Sequence, residues 1–397
     1  MLGIALLAGL AAAKLYFHET FATRDRWVDA TGSGKETGPF EVAGGKYTGD
    51  AANTGLRTTE NNKFYIAAAA LDEEFSNADK PLAVLLNVKF EQNIDCGGGY
   101  IKLLPKSALS SLDAFTPEST YNYMFGPDIC GGSKRTHVIV NYKGGNHLVR
   151  PEIRCESDEL SHLYELAVFP NNTFAVKVDG KEKQRGTFEE HFDVLAPKMI
   201  DDPKVTKPAD WVDEKEIDDP EDKKPEGWDD IPEKIVDPDA KKPEEWDDEE
   251  DGEWQAPLIE NPEFKGEWKP KRIPNPAYKG EWVHPQIENP DYVYDPEIYK
   301  FDSFAYVGID VWQVKAGTIY DEIVIGDDVD EVEAIAEKIL ARNKAEKKDY
   351  DEKKEAERKA EEERKKAEEA AKAAEEAAKA AEDAKEASEE QENKEEL

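Results

Sequence analysis

The chain has 397 residues and a formal net charge of −37. Residues 200–297 alone hold 13 Lys+Arg against 32 Asp+Glu, so about half of that charge sits in a quarter of the chain. Such a surface repels nucleic-acid phosphates, which excludes DNA and RNA as partners, and it suits weakly held Ca²⁺ or a basic protein.

The N-terminus, MLGIALLAGLAAA, is a short apolar run ending in small residues. It reads as a signal peptide over residues 1–13, although no Lys or Arg precedes the run. About ten apolar residues are too few to span a bilayer, and no other stretch reaches 18, so no membrane span is expected.

Residues 14–199 carry short β-rich runs such as VLLNVKFEQ, THVIVNYK and TFAVKVDGK, broken by Gly, Asn, Pro and Asp. Their spacing predicts a sandwich of two antiparallel sheets. Three cysteines, Cys96, Cys130 and Cys155, allow three pairings, of which one bridge and one free thiol is the simplest outcome. Asn171-Asn172-Thr173 is a glycosylation sequon. Glu156 and Asp158 share a strand face and are the one carboxylate pair that could suggest glycoside hydrolysis. Nothing else supports that chemistry, and no enzymatic activity is expected.

The string Cys96-Gly-Gly-Gly-Tyr100-Ile-Lys102 has the parts a sugar site needs. An aromatic ring covers the apolar face of a pyranose, a polar group meets its hydroxyls, and small residues let the ligand approach the backbone. Alternation puts Tyr100 and Lys102 on one face. The alternative is a structural bulge, since consecutive glycines in a strand often mark one.

Residues 200–297 are built from repeats. IDDPKVTKPADWVDE, IDDPEDKKPEGWDD and IVDPDAKKPEEWDD come first. GEWQAPLIENPEFK, GEWKPKRIPNPAYK and GEWVHPQIENPDYV follow. Proline every few residues forbids long helices and central strands, yet each repeat keeps a tryptophan at a fixed place. Three outgoing and three returning units predict a hairpin arm in which each outgoing tryptophan packs on a returning unit. At ~3.1 Å per residue, half of the segment reaches at most ~150 Å. The tip falls near Glu249–Trp254 and pairs a carboxylate cluster with an aromatic, a docking point for a basic surface.

Residues 298–325 return to β character and are expected to complete the sandwich, making the arm an insertion. From about Asp327 the pattern is helical. VDEVEAIAEKIL has apolar residues at i, i+3, i+4 spacing and should dock on the sandwich, which assigns residues 298–343 to the globular domain. The tail, 344–397, is Ala/Glu/Lys-rich and reads as a solvated single helix held by i,i+4 pairs. It ends in KEEL, one substitution from the KDEL retrieval signal of the endoplasmic reticulum.

The two sets of three repeats and the KEEL tail, with EQNIDCGGGYIKLLP, YMFGPDICGG, HVIVNYKG, ESDELSHLYEL and GIDVWQVKAGTIYD, resemble the calreticulin family, over residues 15 to about 325. That family consists of Ca²⁺-binding lectin chaperones of the endoplasmic reticulum lumen, and its membrane-bound relative has four copies of each repeat. The resemblance implies a legume-lectin-like β-sandwich, an inserted proline-rich hairpin arm, a long C-terminal helix and a monomeric chain. It implies binding of monoglucosylated high-mannose glycans through Tyr100, Lys102, Tyr121, Met124, Asp128, Asp310 and Trp312. It further implies a Cys96–Cys130 disulfide, leaving Cys155 free and buried. A structural Ca²⁺ site would use Asp321 with backbone carbonyls near Thr20, Ala52 and Thr54. An oxidoreductase of the protein disulfide isomerase family would dock at Glu249, Asp251, Glu253 and Trp254. Animal relatives carry a nearly uninterrupted acidic tail that stores Ca²⁺; here lysines intersperse among the carboxylates and weaken that expectation. A calcium-buffering protein with little glycan binding is the alternative.

Overall fold

The structure, a computed structural model, describes residues 14–243, 245–246 and 252–395, with side chains of residue 375 and of 380 onward left aside. The expected signal peptide, Glu249, Asp251 and the last two residues of KEEL lie outside the described residues.

Strands β1 (Leu15–Glu19), β2 (Trp27–Asp29), β3 (Phe40–Ala43), β4 (Gly55–Thr58) and β5 (Lys63–Phe75) open the chain. β6 (Leu82–Phe90), β7 (Cys96–Gly98), β8 (Ile101–Leu104), β9 (Tyr123–Cys130) and β10 (Ser133–Tyr142) follow. β11 (Gly145–Leu148), β12 (Ile153–Arg154), β13 (Ser161–Phe169), β14 (Thr173–Val178), β15 (Lys181–Thr187) and the short helix α1 (Phe188–His191) complete the first stretch. After the repeats come β22 (Phe304–Gln313), β23 (Thr318–Gly326) and helix α2 (Val329–Glu395).

These form two antiparallel sheets. The first runs β15-β14-β13-β6-β23-β4-β3, with β1 on β23. The second runs β11-β10-β9-β7-β22-β5-β2, with β12 on β10 and β8 lying between β22 and β9. Alternation explains the layers. Val307, Ile309 and Val311 of β22 face Leu86, Val88, Tyr164 and Tyr320 of the first sheet in one core. Burying each of these side chains stabilises by about 1.5–3 kcal/mol. The outer face of the second sheet holds a separate cluster with Ile66, Leu104, Phe115, Tyr121 and Tyr306. On the outer face of the first, Ala83, Leu85, Leu163 and Val324 pack against Val332, Ala336 and Ile339 of α2. β6 and β23 are therefore buried along their whole length, with the polar Asn87, Lys89, Asp321 and Glu322 included.

Helix α2 starts where Asp328 accepts the Glu331 backbone N–H at 3.0 Å. Its docking continues past Asn343, the expected limit. Glu346 accepts from Ser161 Oγ (2.7 Å) and pairs with Lys89 (3.0 Å), and Tyr350 sits edge-on against Tyr47 at 4.7 Å. These contacts are polar or aromatic, so an apolar periodicity does not reveal them.

The chain divides into two compact units, residues 197–292 and the remainder. The sandwich thus reclaims the chain at Val293 rather than at 298. Asp295 accepts from Tyr142 Oη (2.6 Å), and its carbonyl accepts from Asn172 Nδ2 (2.8 Å).

Within residues 197–292, outgoing strands β16 (Met199–Asp201), β17 (Glu216–Asp218) and β18 (Lys234–Val236) pair with returning strands β21 (Gln286–Glu288), β20 (Arg272–Pro274) and β19 (Leu258–Glu260). Each rung is three residues long because prolines interrupt the ladder. Ile200, Ile217 and Ile235 face Ile287, Ile273 and Ile259 across the centres of the rungs. The repeated tryptophans lock the limbs together. Trp211, Trp228 and Trp246 donate their indole N–H to the carbonyls of Gly280, Gly266 and Gly252 at 2.9, 2.9 and 2.8 Å. Those glycines have φ of 75–89°, a left-handed conformation that favours glycine. The asparagine of each Asn-Pro spans the hairpin: Asn261, Asn275 and Asn289 donate to the carbonyls of Pro232, Glu214 and Pro197.

Candidate carbohydrate-binding face and cation site

Strand register gathers the sugar-binding candidates on the outer face of the second sheet. With Val307, Ile309 and Val311 inward, Gly308, Asp310 and Trp312 face outward. Gly308 pairs with Lys102, Lys102 with Met124, and Gly98 with Asp128. Trp312 pairs with Phe64.

Lys102 Nζ donates to Asp310 Oδ2 at 2.7 Å and to the Pro117 carbonyl at 2.9 Å. It lies 5.3 Å from the Tyr121 ring centroid and 5.9 Å from that of Phe115. Both members of the ion pair are buried. A Cβ on Gly308 would come within 2.5 Å of the Phe115 ring, so glycine there lets that ring pack close above the sheet. Trp312 is 37% exposed on an otherwise buried strand, its ring 4.7 Å from that of Phe64. It is an apolar platform beside a fixed dipole.

Asp128 Oδ2 and His137 Nε2 are 3.2 Å apart, and the Tyr100 ring stands edge-on to His137 at 5.5 Å. Burial pushes the Tyr100 phenol pKa up, and the Asp310 and Asp128 carboxylates add to the shift. Burial raises Tyr121 to about 12. Both phenols stay neutral and able to donate at physiological pH. The face offers an aromatic plane, donors and acceptors.

The glycine string has a packing explanation. Register runs without a slip from Gly97 opposite Gln313 to Lys102 opposite Gly308, so there is no bulge. A Cβ on Gly97 would meet Gln313 Oε1 at 2.6 Å, and one on Gly98 would meet the Tyr100 ring at 2.5 Å. The glycines let Tyr100 lie back over its own strand. Cys96 and Cys130 face each other across the ladder and form a disulfide, fixing β7 to β9. Cys155 is free and buried, and burial raises its thiol pKa to about 11. His137, Phe64 and Phe115 were not singled out from sequence. Alternation in HVIVNYK shows that His137 faces opposite Val138, but Phe64 and Phe115 require the register.

Asp321 occupies the register shift between Tyr320 and Glu322 in β23, where an extra residue re-aims a side chain. Its Oδ2 accepts from Asn87 Nδ2 (2.6 Å) and Arg342 (2.7 Å). Its Oδ1 is buried without a partner at hydrogen-bonding distance. Burial raises its pKa against the opposing pull of Arg342, Asn87 and Asn53. Just beyond Thr20, Phe21 has φ 51°, unusual for a bulky residue, and Thr54 Oγ1 donates to its carbonyl at 2.9 Å. The next residue, Gly55, lies against the Tyr320 carbonyl, within 2.7 Å of where a Cβ would stand. Thr20, Thr54 and Asp321 thus belong to adjoining backbone, while Ala52 sits in the exposed turn after Asp50. One orphaned buried carboxylate oxygen among backbone segments suits a hard cation such as Ca²⁺. Among the described residues no three His, Cys, Asp or Glu side chains gather as ligands, so backbone oxygens would supply the rest. At the hairpin tip, Glu253 is exposed and Trp254 half-buried.

An antiparallel sandwich with a partly exposed tryptophan beside a buried ion pair, interrupted by a proline-rich hairpin, is the architecture of a lectin-type chaperone. The chain belongs to the calreticulin family, whose family model matches residues 17–251 and 249–325. It is 72% identical to the calreticulin of Entamoeba histolytica over 358 residues, covering 90% of this chain and 92% of that one. Calreticulin of Caenorhabditis elegans is 50% identical, covering 89% and 90%. The solved T. cruzi calreticulin globular domain superposes with a TM-score of 0.61 at 30% identity, over 86% of this chain and all of that one. No helix among the described residues is long and apolar enough to cross a membrane.

Proposed function

We propose that this protein is a Ca²⁺-dependent lectin chaperone of the endoplasmic reticulum lumen. It holds folding glycoproteins by the terminal glucose of monoglucosylated N-glycans, without catalysing a reaction on them. It presents them to an oxidoreductase of the protein disulfide isomerase family docked at the hairpin tip. The observation that carries the reading is the outer face itself, where a sugar ring stacked on Trp312 would bring its hydroxyls toward the Lys102–Asp310 pair and the Tyr100 phenol. The apolar run at residues 1–13 and the KEEL ending support the compartment.

Calorimetric titration with a glucose-capped mannose oligosaccharide should give binding, and the same oligosaccharide without glucose should give none. Trp312→Ala should weaken binding roughly 2- to 12-fold, since ring stacking is worth ~0.5–1.5 kcal/mol. Equal binding of both oligosaccharides would contradict the glucose reading.

A cation at Asp321 makes a separate expectation. The raised pKa of Asp321 means that its contribution to the Ca²⁺-free fold is fully present below pH 3.8 and is lost as pH rises through the folded-state value. Ca²⁺ at a hundred times Kd should restore about 2.7 kcal/mol at neutral pH, raising Tm by roughly 5–10 °C. Asp321→Asn should abolish that rise; a rise surviving in the variant would contradict the assignment. The buffering alternative finds less support in α2. There Asp349, Asp351, Glu355, Glu361 and Glu368 already hold Lys353, Lys347, Arg358, Arg364 and Lys372 at 2.7–3.0 Å.

A further inference from the structure

The three rungs of the hairpin are internal controls for one another. Each consists of three cross-strand pairs, and the third pair differs among them. In the rung nearest the chain ends it is Asp201 opposite Gln286, with Gln286 Nε2 3.5 Å from Asp201 Oδ1. In the middle rung it is Asp218 opposite Arg272, ion-paired at 2.9 Å. In the distal rung it is Val236 opposite Leu258, with 58% and 61% of their surfaces exposed. Directly opposed residues share a face, so the two side chains form one continuous apolar knob. Nothing in the repeat geometry demands it, because the same position is polar or charged in the other two rungs.

The charge of the sequence on either side of this knob indicates what covers it. Residues 229–263, which contain the distal rung and the tip, hold 3 Lys+Arg and 15 Asp+Glu, a net of −12. The other 63 residues of 200–297 hold 10 and 17, a net of −7. A second copy of the chain would bring like charge against like and is disfavoured. A positively charged surface would be attracted, and a pair of desolvated aliphatic side chains ringed by charge is the usual anatomy of an interface centre.

We infer that Val236 and Leu258 form the apolar anchor of the hairpin's partner interface, and that the partner is a folded basic protein with an apolar recess. This rests on the reading that the tip recruits an oxidoreductase. It divides the labour there: the carboxylates set the rate of encounter, and the apolar pair sets the lifetime of the complex.

The test uses the full mature chain and a protein disulfide isomerase family oxidoreductase as probe, with association and dissociation rates measured by surface plasmon resonance. Val236→Asp with Leu258→Arg copies the middle rung and leaves net charge unchanged. It should raise koff about tenfold while kon stays within about twofold. Leu258→Gln, which places at this position the residue found at 286 and keeps Val236, should raise koff by about threefold. Asp218→Val with Arg272→Leu, outside the acidic third, should change neither rate. Unchanged tryptophan near-ultraviolet dichroism shows that each variant keeps the hairpin. Unaltered koff in both distal variants, with the wild type binding normally, overturns this inference alone. No binding by the wild type overturns the recruitment reading and this inference with it.

Discussion

A chain ending at residue 199 will not fold and will bind no glycan. β22 and β23 follow the repeats in sequence but lie inside the sheets, not at their edges. β22 joins β5 to β7 and β8, and β23 joins β6 to β4 and β1. Removing them cuts each sheet in two. It also strips Val307, Ile309, Val311, Tyr320, Ile323 and Ile325 from the core. At about 1.5–3 kcal/mol each, the loss is on the order of 10 kcal/mol, comparable with the whole stability of an ordinary domain. The truncated chain should show no cooperative thermal transition by calorimetry and no heat on glycan addition. Joining residues 14–196 to 293–397 through a flexible linker should restore both, because among the described residues the hairpin strands pair with each other and not with either sheet of the sandwich. A cooperative transition in the truncated chain would refute the inserted topology.

Asp310→Ala should abolish glycan binding and destabilise the sandwich by about 3–5 kcal/mol, because it leaves the Lys102 ammonium buried and unpaired. For a domain of this size the expected fall in Tm is about 10 °C. The two effects can be separated. Lys102→Met with Asp310→Leu removes both charges and should recover most of the stability, since apolar replacement of a buried pair is often neutral or better. It should still bind no glycan, because the hydroxyl-facing groups are gone. If the double variant binds sugar with the wild-type affinity, the ion pair serves the fold alone.

The hairpin was legible in sequence because its units repeat at a fixed spacing, although the bonds that lock it join residues up to 92 positions apart. Proline spacing forbids continuous strands and a tryptophan recurs at a fixed place in every repeat, but the glycine and asparagine bonds that lock the limbs emerge only in the structure. The sandwich class was legible from alternation in the runs around β6, β10 and β14. The sugar face was not, because it is assembled across 208 residues between Lys102 and Asp310. Composition shows a tyrosine and a lysine on one side of a strand; only register brings Trp312 over Phe64 and Asp310 beside Lys102. Resemblance supplied those residues, but it did not supply the support given by Phe115, Gly308 and His137. The reach of α2 was underestimated for a related reason. Glu346 and Tyr350 dock through ion-pair and ring contacts with Lys89 and Tyr47, which leave no apolar stripe to read.

The most direct test of the account is a crystal structure of the mature chain with Ca²⁺ and a glucose-capped mannose oligosaccharide. The terminal glucose should lie on the outer face of the second sheet, stacked on Trp312, with hydroxyls reaching Lys102, Asp310 and Tyr100. Sugar bound instead in the separate cleft of about 540 Å³ bounded by Pro151, Arg154, Lys183 and His191 would contradict the central claim.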